Sequence, residues 1–310
     1  MKIYHNINDF KPVPNPIVTV GTFDGVHLGH QAILKKMIDE ARKIGGETVV
    51  LTFYPHPRQV LHGDNSLRIT SQEKKIELLD QLGIDNLIVI NFTKEFSRTT
   101  SEQFIKKYII EGIHPVKLIV GYDHHFGKNR MGDYNLLFDL STQYNFKLEH
   151  IPARNVENIA VSSTKIRNAL TQGNVGRANS LLGYQYTIYG NVSHGNGLGR
   201  TFGFPTANIE IPDEYKLIAA RGVYACFVDY KGIAYQGMAN IGLRPTISDY
   251  GVLLVEVNIF DFDQDIYGET IGIRFVERLR DEKKFDSKEL LISQLIDDRK
   301  QAKTILEQQK

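Results

Sequence analysis

The chain has a single cysteine, Cys226, among its 310 residues. That excludes an intramolecular disulfide, and no Cys/His set has the spacing of a zinc site. Long hydrophobic runs are missing too: no apolar stretch approaches the roughly 20 residues that span a bilayer. An excess of one charge is also lacking. With 37 basic against 36 acidic residues and a net charge of +1, nothing draws the whole chain to nucleic acid or to an anionic membrane. There is no internal repeat and no low-complexity tract, and the polar segment 1–9 does not read as a signal peptide. These absences predict a soluble cytoplasmic protein with neither nucleic-acid nor membrane partners. Hydrophobic residues make up 42% of the chain, enough for a sizeable core, and the length suits two ordinary domains. Cys226 itself reads as a small buried strand residue.

What is present is a rhythm. Strand-like apolar runs at 17–21, 48–54, 86–91, 116–121 and 146–151 alternate with helical spacing at 31–44, 71–82, 101–111 and 134–144. Thr70-Ser71-Gln72-Glu73 reads as a capping box opening the second of these helices. The alternation predicts an α/β domain with a mostly parallel sheet, helices on both faces and ligands at the carboxyl ends of the strands. Short helices at 162–172 and 175–182 close it. Around Gly183 the rhythm changes. Six strand-like runs, at 184–194, 206–211, 222–228, 233–241, 252–260 and 270–276, precede one helical pattern at 287–308. Asp229-Tyr230-Lys231-Gly232 reads as a hairpin turn. The second half is therefore expected to be a small antiparallel barrel followed by a helix, with domains at 1–183 and 184–310.

The most informative string is Gly21-Thr-Phe-Asp-Gly-Val-His27-Leu-Gly29-His30. It lies on a strand-to-helix turn, where exposed backbone N–H groups and the positive end of a helix favour a phosphate. His27 and His30, three apart, are expected near one face. Gly29 lets a phosphate approach the backbone. Two imidazoles over a phosphate suit phosphoryl or nucleotidyl transfer, which needs positioned charge and hydrogen-bond donors more than a covalent nucleophile. A bare His-x-Gly-His is a weak signal; the ten-residue string in this context is a strong one.

Other strings add to it. Ser162-Ser163-Thr164-Lys165-Ile166-Arg167 offers hydroxyls and a guanidinium at a helix start, suited to a polyphosphate as well as to capping. Pro55-His56-Pro57 ends a strand with stiffened geometry beside aromatics that can flank a planar ring. Asp123-His124-His125-Phe126 ends another; neighbouring residues point opposite ways, so it reads as a substrate-lining loop rather than a metal site. In the second half, the glycine-rich stretch 194–200 reads as either a phosphate cradle or a flexible surface loop. Thr206 and Asn208 can offer a hydroxyl and an amide oxygen to Mg²⁺. Glu256, charged within an apolar strand, can act as a general base if it faces a site. The acidic run 261–269 lacks the glycine and the bidentate glutamate of a calcium loop and reads as a solvated hairpin.

Taken in order along nearly the whole chain, these strings resemble the bacterial bifunctional riboflavin kinase/FAD synthetases. The resemblance implies a Rossmann-like nucleotidyltransferase domain followed by a six-stranded flavokinase barrel. It implies phosphorylation of riboflavin to FMN in the barrel, then transfer of AMP from ATP to FMN in the first domain, giving FAD and pyrophosphate, with Mg²⁺ and ATP required. By position it implies that His27 and His30 stabilise the reacting α-phosphate. Gly21, Phe23, Gly29, Ser163, Thr164 and Arg167 would bind ATP, and Pro55, His56, Pro57, Asp123 and Phe126 the flavin. In the kinase it implies Glu256 as base, Gly199, Arg200, Thr206 and Asn208 at Mg-ATP, and Asn240, Arg244 and Thr246 on a loop beside riboflavin. Asn258 stands where many relatives carry histidine. Two other readings compete: an adenylyltransferase whose barrel binds flavin without catalysis, and a nucleic-acid-binding protein, for which the sequence supplies no basic stripe with interleaved aromatics.

Overall fold

A computed structural model of the protein describes residues 1–62, 67–121, 134–152, 155–156, 159–195, 198–244 and 252–309. The chain falls into two compact units, Met1–Ser163 and Thr164–Lys310. In the first, β1 (Lys2–Tyr4), β2 (Ile17–Val20), β3 (Thr48–Tyr54), β4 (Asn86–Asn91), β5 (Lys117–Gly121) and β6 (Lys147–Ile151) form one sheet in the order β1-β4-β3-β2-β5-β6. Every neighbouring pair is parallel. Alternate residues divide between its faces: Val18, Val20, Val49, Leu51, Ile88 and Ile90 join one core cluster, while Ile17, Val50, Leu87 and Val89 join another. Burial on both faces is why these strands read as continuous apolar runs. The chain leaves β2 towards β3 on one side and later returns to β5 on the other, so the carboxyl end of β2 is a topological switch point.

Several local features differ from expectation. The first long helix, Leu28–Lys43, starts earlier than its apolar spacing suggests, because the His27 side chain caps it. Ser71 caps Gln72–Gln81 by accepting from Lys74 N, so the cap is not the Thr70/Glu73 pair expected; a reciprocal capping box forms instead between Thr100 and Gln103. The helix expected at 101–111 passes through a π-helical stretch, Ile105–Ile110. Strand β1 and the helix Pro57–His62 had no sequence signal. A two-stranded ribbon, β7 (Asn155–Val156) with β8 (Ile159–Ala160), completes the described first unit.

The second unit opens with helices Ser163–Thr171, all but its first residue, and Val175–Leu182. Within it Asn179 Nδ2 donates to Phe275 O at 2.9 Å and Ala220 N to Leu170 O at 2.9 Å. The contact division therefore falls ahead of the sequence boundary near Gly183, a residue that ends Val175–Leu182 in a left-handed conformation at φ 80°. Beyond it, β9 (Thr187–Ser193), β10 (Ala207–Glu210), β11 (Gly222–Tyr230), β12 (Ile233–Arg244), β13 (Val252–Ile259) and β14 (Thr270–Arg280) close an antiparallel barrel in the order β10-β13-β12-β11-β14-β9. The β11–β12 hairpin turns on Lys231 and Gly232, both at positive φ (47° and 80°), the geometry of a type I′ turn. Cys226 is buried on β11.

The helix Lys288–Glu307, capped by Ser287, packs Ala302 and Leu306 against Phe204, Ala225, Met238 and Phe260. It is also pinned by charge: Arg280 Nη2 and Nε reach Asp298 at 2.7 and 3.0 Å, and Asp298 is 1% exposed. The acidic run keeps Asp261, Asp263 and Asp265 exposed, and Asp261 accepts from Arg299 at 3.0 Å and Lys303 at 3.1 Å on this helix at the surface.

Candidate functional sites

The turn after β2 is tightly specified. Gly21 N donates to Leu51 O at 3.1 Å, and a side chain on Gly21 would press on the Phe23 ring. Phe23, Gly25 and Val26 all take positive φ (48°, 85° and 35°). For a phenylalanine and a β-branched valine such a backbone is unfavourable and persists only where the surroundings impose it. Both are buried, at 2% and 0% exposure. Asp24, buried at its centre, accepts backbone N–H bonds from Ile69 at 3.0 Å and Thr70 at 3.2 Å, and its carbonyl accepts from Ser163 Oγ at 2.9 Å.

This frame brings His27 and His30 together. Their rings stack with centroids 3.6 Å apart and 15° between planes, and Phe23 closes edge-on against His30 at 5.1 Å. His27 Nδ1 accepts from His30 N at 3.3 Å, an acceptor role that puts the proton of the neutral ring on Nε2. Gly29 has no side chain because the His27 ring occupies that space: a Cβ there would lie 3.1 Å from the ring. Burial, reinforced by the neighbouring His27 and then Lys75, holds the His30 imidazole well below its usual range, so it is neutral at physiological pH. Its Nδ1 is buried without a hydrogen-bond partner.

Beside this turn, Thr22, Asp24, Tyr54, His56, Arg68 and Lys75 line a cavity. Here the helix Pro57–His62 follows Pro55 and His56, and His56 Nδ1 accepts from Arg58 N at 3.2 Å. Sequence reasoning missed Lys75. It is 7% exposed, yet its Nζ meets Thr52 Oγ1 at 3.3 Å and Thr22 O at 3.4 Å. A signal existed: Lys75 stands one turn before Leu79, within the apolar stripe of its helix. Asp123 and Phe126 lie outside the described residues. Thr164, exposed, and Arg167 sit on the helix Ser163–Thr171.

In the barrel the register aligns three of the expected residues. Asn208 on β10 and Asn240 on β12 both stand opposite Glu256 on β13. They form one row across three strands. Asn208 is 8% exposed, and its Oδ1 is buried with no hydrogen-bond partner. A side chain on Gly195 would overlap its amide. Two residues along β13, Asn258 Nδ2 donates to Pro205 O at 2.6 Å, tethering the turn that carries Thr206. The Gly199 carbonyl accepts from Phe204 N at 2.9 Å, and a Cβ on Gly199 would strike Phe204 O and crowd Thr206 Oγ1. Thr246 and the side chains of Arg200 and Arg244 lie outside the described residues. Among the described residues no three His, Cys, Asp or Glu side chains gather as a metal cage. A buried amide oxygen without a partner at Asn208, with an exposed threonine two residues before it, fits a cation held mostly by phosphate oxygens.

An α/β sheet with paired histidines at its switch point, and a closed barrel with a carboxylate between two asparagines, together define a two-unit transferase that handles nucleotide phosphates. Comparison with known proteins makes this specific. The FAD synthetase family matches residues 11–165 and the riboflavin kinase family residues 182–306. The bifunctional riboflavin kinase/FMN adenylyltransferase of Listeria monocytogenes is 40% identical over 91% of this chain and 89% of its own. That of Buchnera aphidicola from Acyrthosiphon pisum is 37% identical over 96% of both chains. A crystal structure described as a macrolide-efflux protein from Streptococcus pneumoniae is 34% identical, with a TM-score of 0.88 over 97% of this chain and 98% of that one. Among the described residues, no helix here is long and apolar enough to cross a membrane. The chain belongs to the bifunctional riboflavin kinase/FMN adenylyltransferase family.

Proposed function

We propose that this chain makes FMN from riboflavin and ATP in its barrel, and FAD and pyrophosphate from FMN and a second ATP in its α/β domain. The observation that carries this reading is that each unit holds its own constellation: the stacked His27–His30 pair in one, the Asn208–Glu256–Asn240 row in the other. For function we divide the chain at 1–183 and 184–310.

In the adenylyltransferase, the FMN phosphate attacks the α-phosphorus of ATP in line and pyrophosphate leaves. His27 and the neutral His30 donate hydrogen bonds to the α-phosphate oxygens as charge builds there. Gly21, Phe23 and Gly29 shape the turn that receives ATP, while Ser163, Thr164 and Arg167 hold the β- and γ-phosphates. Pro55, His56 and Pro57, with Asp123 and Phe126, take the flavin. In the kinase, Glu256 accepts the proton of the riboflavin 5′-hydroxyl as it attacks the γ-phosphate. Gly199, Arg200, Thr206 and Asn208 bind ATP, and Asn240, Arg244 and Thr246 face riboflavin. Thr206 and Asn208 would hold Mg²⁺, which when bound neutralises phosphate charge. A cytoplasmic setting, where ATP is plentiful, and the absence of nucleic-acid or membrane partners belong to the same reading.

A chromatographic time course with riboflavin, ATP and Mg²⁺ tests it. FMN should appear first and FAD after it. FMN that never proceeds to FAD, even when supplied in reduced form, would remove the adenylyltransferase; FAD from supplied FMN with no use of riboflavin would leave only the non-catalytic barrel.

A further inference from the structure

We propose that Lys75 is a positioning residue of the adenylyltransferase site: its ammonium ties the Thr22 carbonyl, in the turn after β2, to Thr52 on β3, and so fixes the turn that carries His27 and His30. The inference rests on the function proposed above for that site. Lys75 and Leu79 are the buried residues of the helix Gln72–Gln81. A lysine therefore occupies a place where an amphipathic helix ordinarily puts an apolar side chain. Burying an ammonium against neutral oxygens is costly, and an apolar side chain would pack there at less expense of stability. The charge is better explained by what it holds. Thr52 Oγ1 itself approaches Thr22 O at 3.3 Å, so lysine, threonine and carbonyl close a small triangle under the turn.

The charged and titratable groups around it come from each neighbouring element. Asp24 lies on the turn itself, Arg68 on the segment before the helix, Tyr54 at the end of β3 and His56 just beyond it, around the same cavity. His30 feels its charge from the helix that follows the turn. Burial lowers the Lys75 pKa to about 8, Asp24 opposing and Arg68 adding to the fall. It thus stays mainly cationic at neutral pH and helps keep His30 unprotonated.

The test compares Lys75→Met and Thr52→Val in the full chain, reading FMN and FAD formation separately and following the His30 imidazole by NMR. Lys75→Met should lower kcat for FAD formation by about tenfold or more, as misplacement of a reacting group does. It should leave FMN formation intact and move His30 titration to higher pH. Thr52→Val, which breaks the tie but keeps the charge, should lower the FAD rate without moving that titration. Circular dichroism and the dispersion of the NMR spectrum report whether the α/β domain of each variant is folded, since the kinase rate arises in the other unit. Unchanged FAD rates in both variants, or an unmoved His30 titration in folded Lys75→Met, would overturn the proposal. An unsubstituted protein that makes FMN but never FAD would refute the adenylyltransferase reading and this inference with it.

Discussion

Asn258 carries a prediction whose size follows from its surroundings. Its amide is 5% exposed and donates to Pro205 O at 2.6 Å, one residue before Thr206. Asn258→Ala deletes that bond. Pro205 is itself exposed, so water can reach the freed carbonyl and the loss falls near the lower end for a broken hydrogen bond, about 1 kcal/mol. The space left by the amide adds a similar amount. Together these come to about 2 kcal/mol, roughly a thirtyfold change in an equilibrium. The tether orders the ATP-side turn, so the change should appear as a rise in KM for ATP in the kinase, with kcat altered less. FAD formation from supplied FMN should not move. Asn258→Asp should be worse than Ala, because it sets a carboxylate against a carbonyl. Steady-state kinetics with riboflavin saturating would decide. Parental KM values for ATP in both variants would refute the argument that this bond positions Thr206.

Glu256→Gln should reduce FMN formation by about 10²–10⁴-fold, the usual contribution of a general base, while FAD formation from FMN continues. His30→Ala should do the reverse, cutting FAD formation by about 10²-fold or more as FMN accumulates. Asp298→Ala should destabilise the barrel unit by about 3 kcal/mol in denaturant titrations, because it strands the Arg280 guanidinium; replacing both partners by apolar residues should recover most of this. Lys75 binds its proton less tightly folded, at about 8, than at its ordinary value of 10.5. The unfolded chain therefore holds more protons between those values, and stability should rise with pH across that window by about 3 kcal/mol. Thermal unfolding of Lys75→Met should lack that rise.

Strands β2 to β5 were legible because burial on both faces writes an apolar run, and β3 and β4 match their expected limits. Strand β1 was not: it has three residues, two of them exposed, so no pattern marks it. Helix starts were blurred where a side chain outside the apolar stripe makes the cap, as His27 does. At the sites, the residue types could be read but their meeting could not. Asn208, Glu256 and Asn240 share a row only through the pairing of β13 with both β12, its neighbour in the chain, and β10, which lies two strands earlier than β12. Lys75 escaped notice because a charged residue on a helix is ordinarily assigned to water, and here it faces inward.

The two sheets end differently, and this bears on how the protein resists self-association. A closed barrel has no edge, so every strand of β9–β14 already has both neighbours. Among the described residues the parallel sheet has two edge strands, β1 and β6, and the edge of a sheet is where a further strand can pair. Strand β1 is only three residues long, and β6 carries Lys147 and Glu149, the latter bound to Lys117 at 2.9 Å. Shortness guards one border and charge the other. Apolar substitutions at Lys147 and Glu149 would leave both active sites untouched yet open a template for strand addition, so the hazard of aggregation in this enzyme is concentrated at one margin of one sheet.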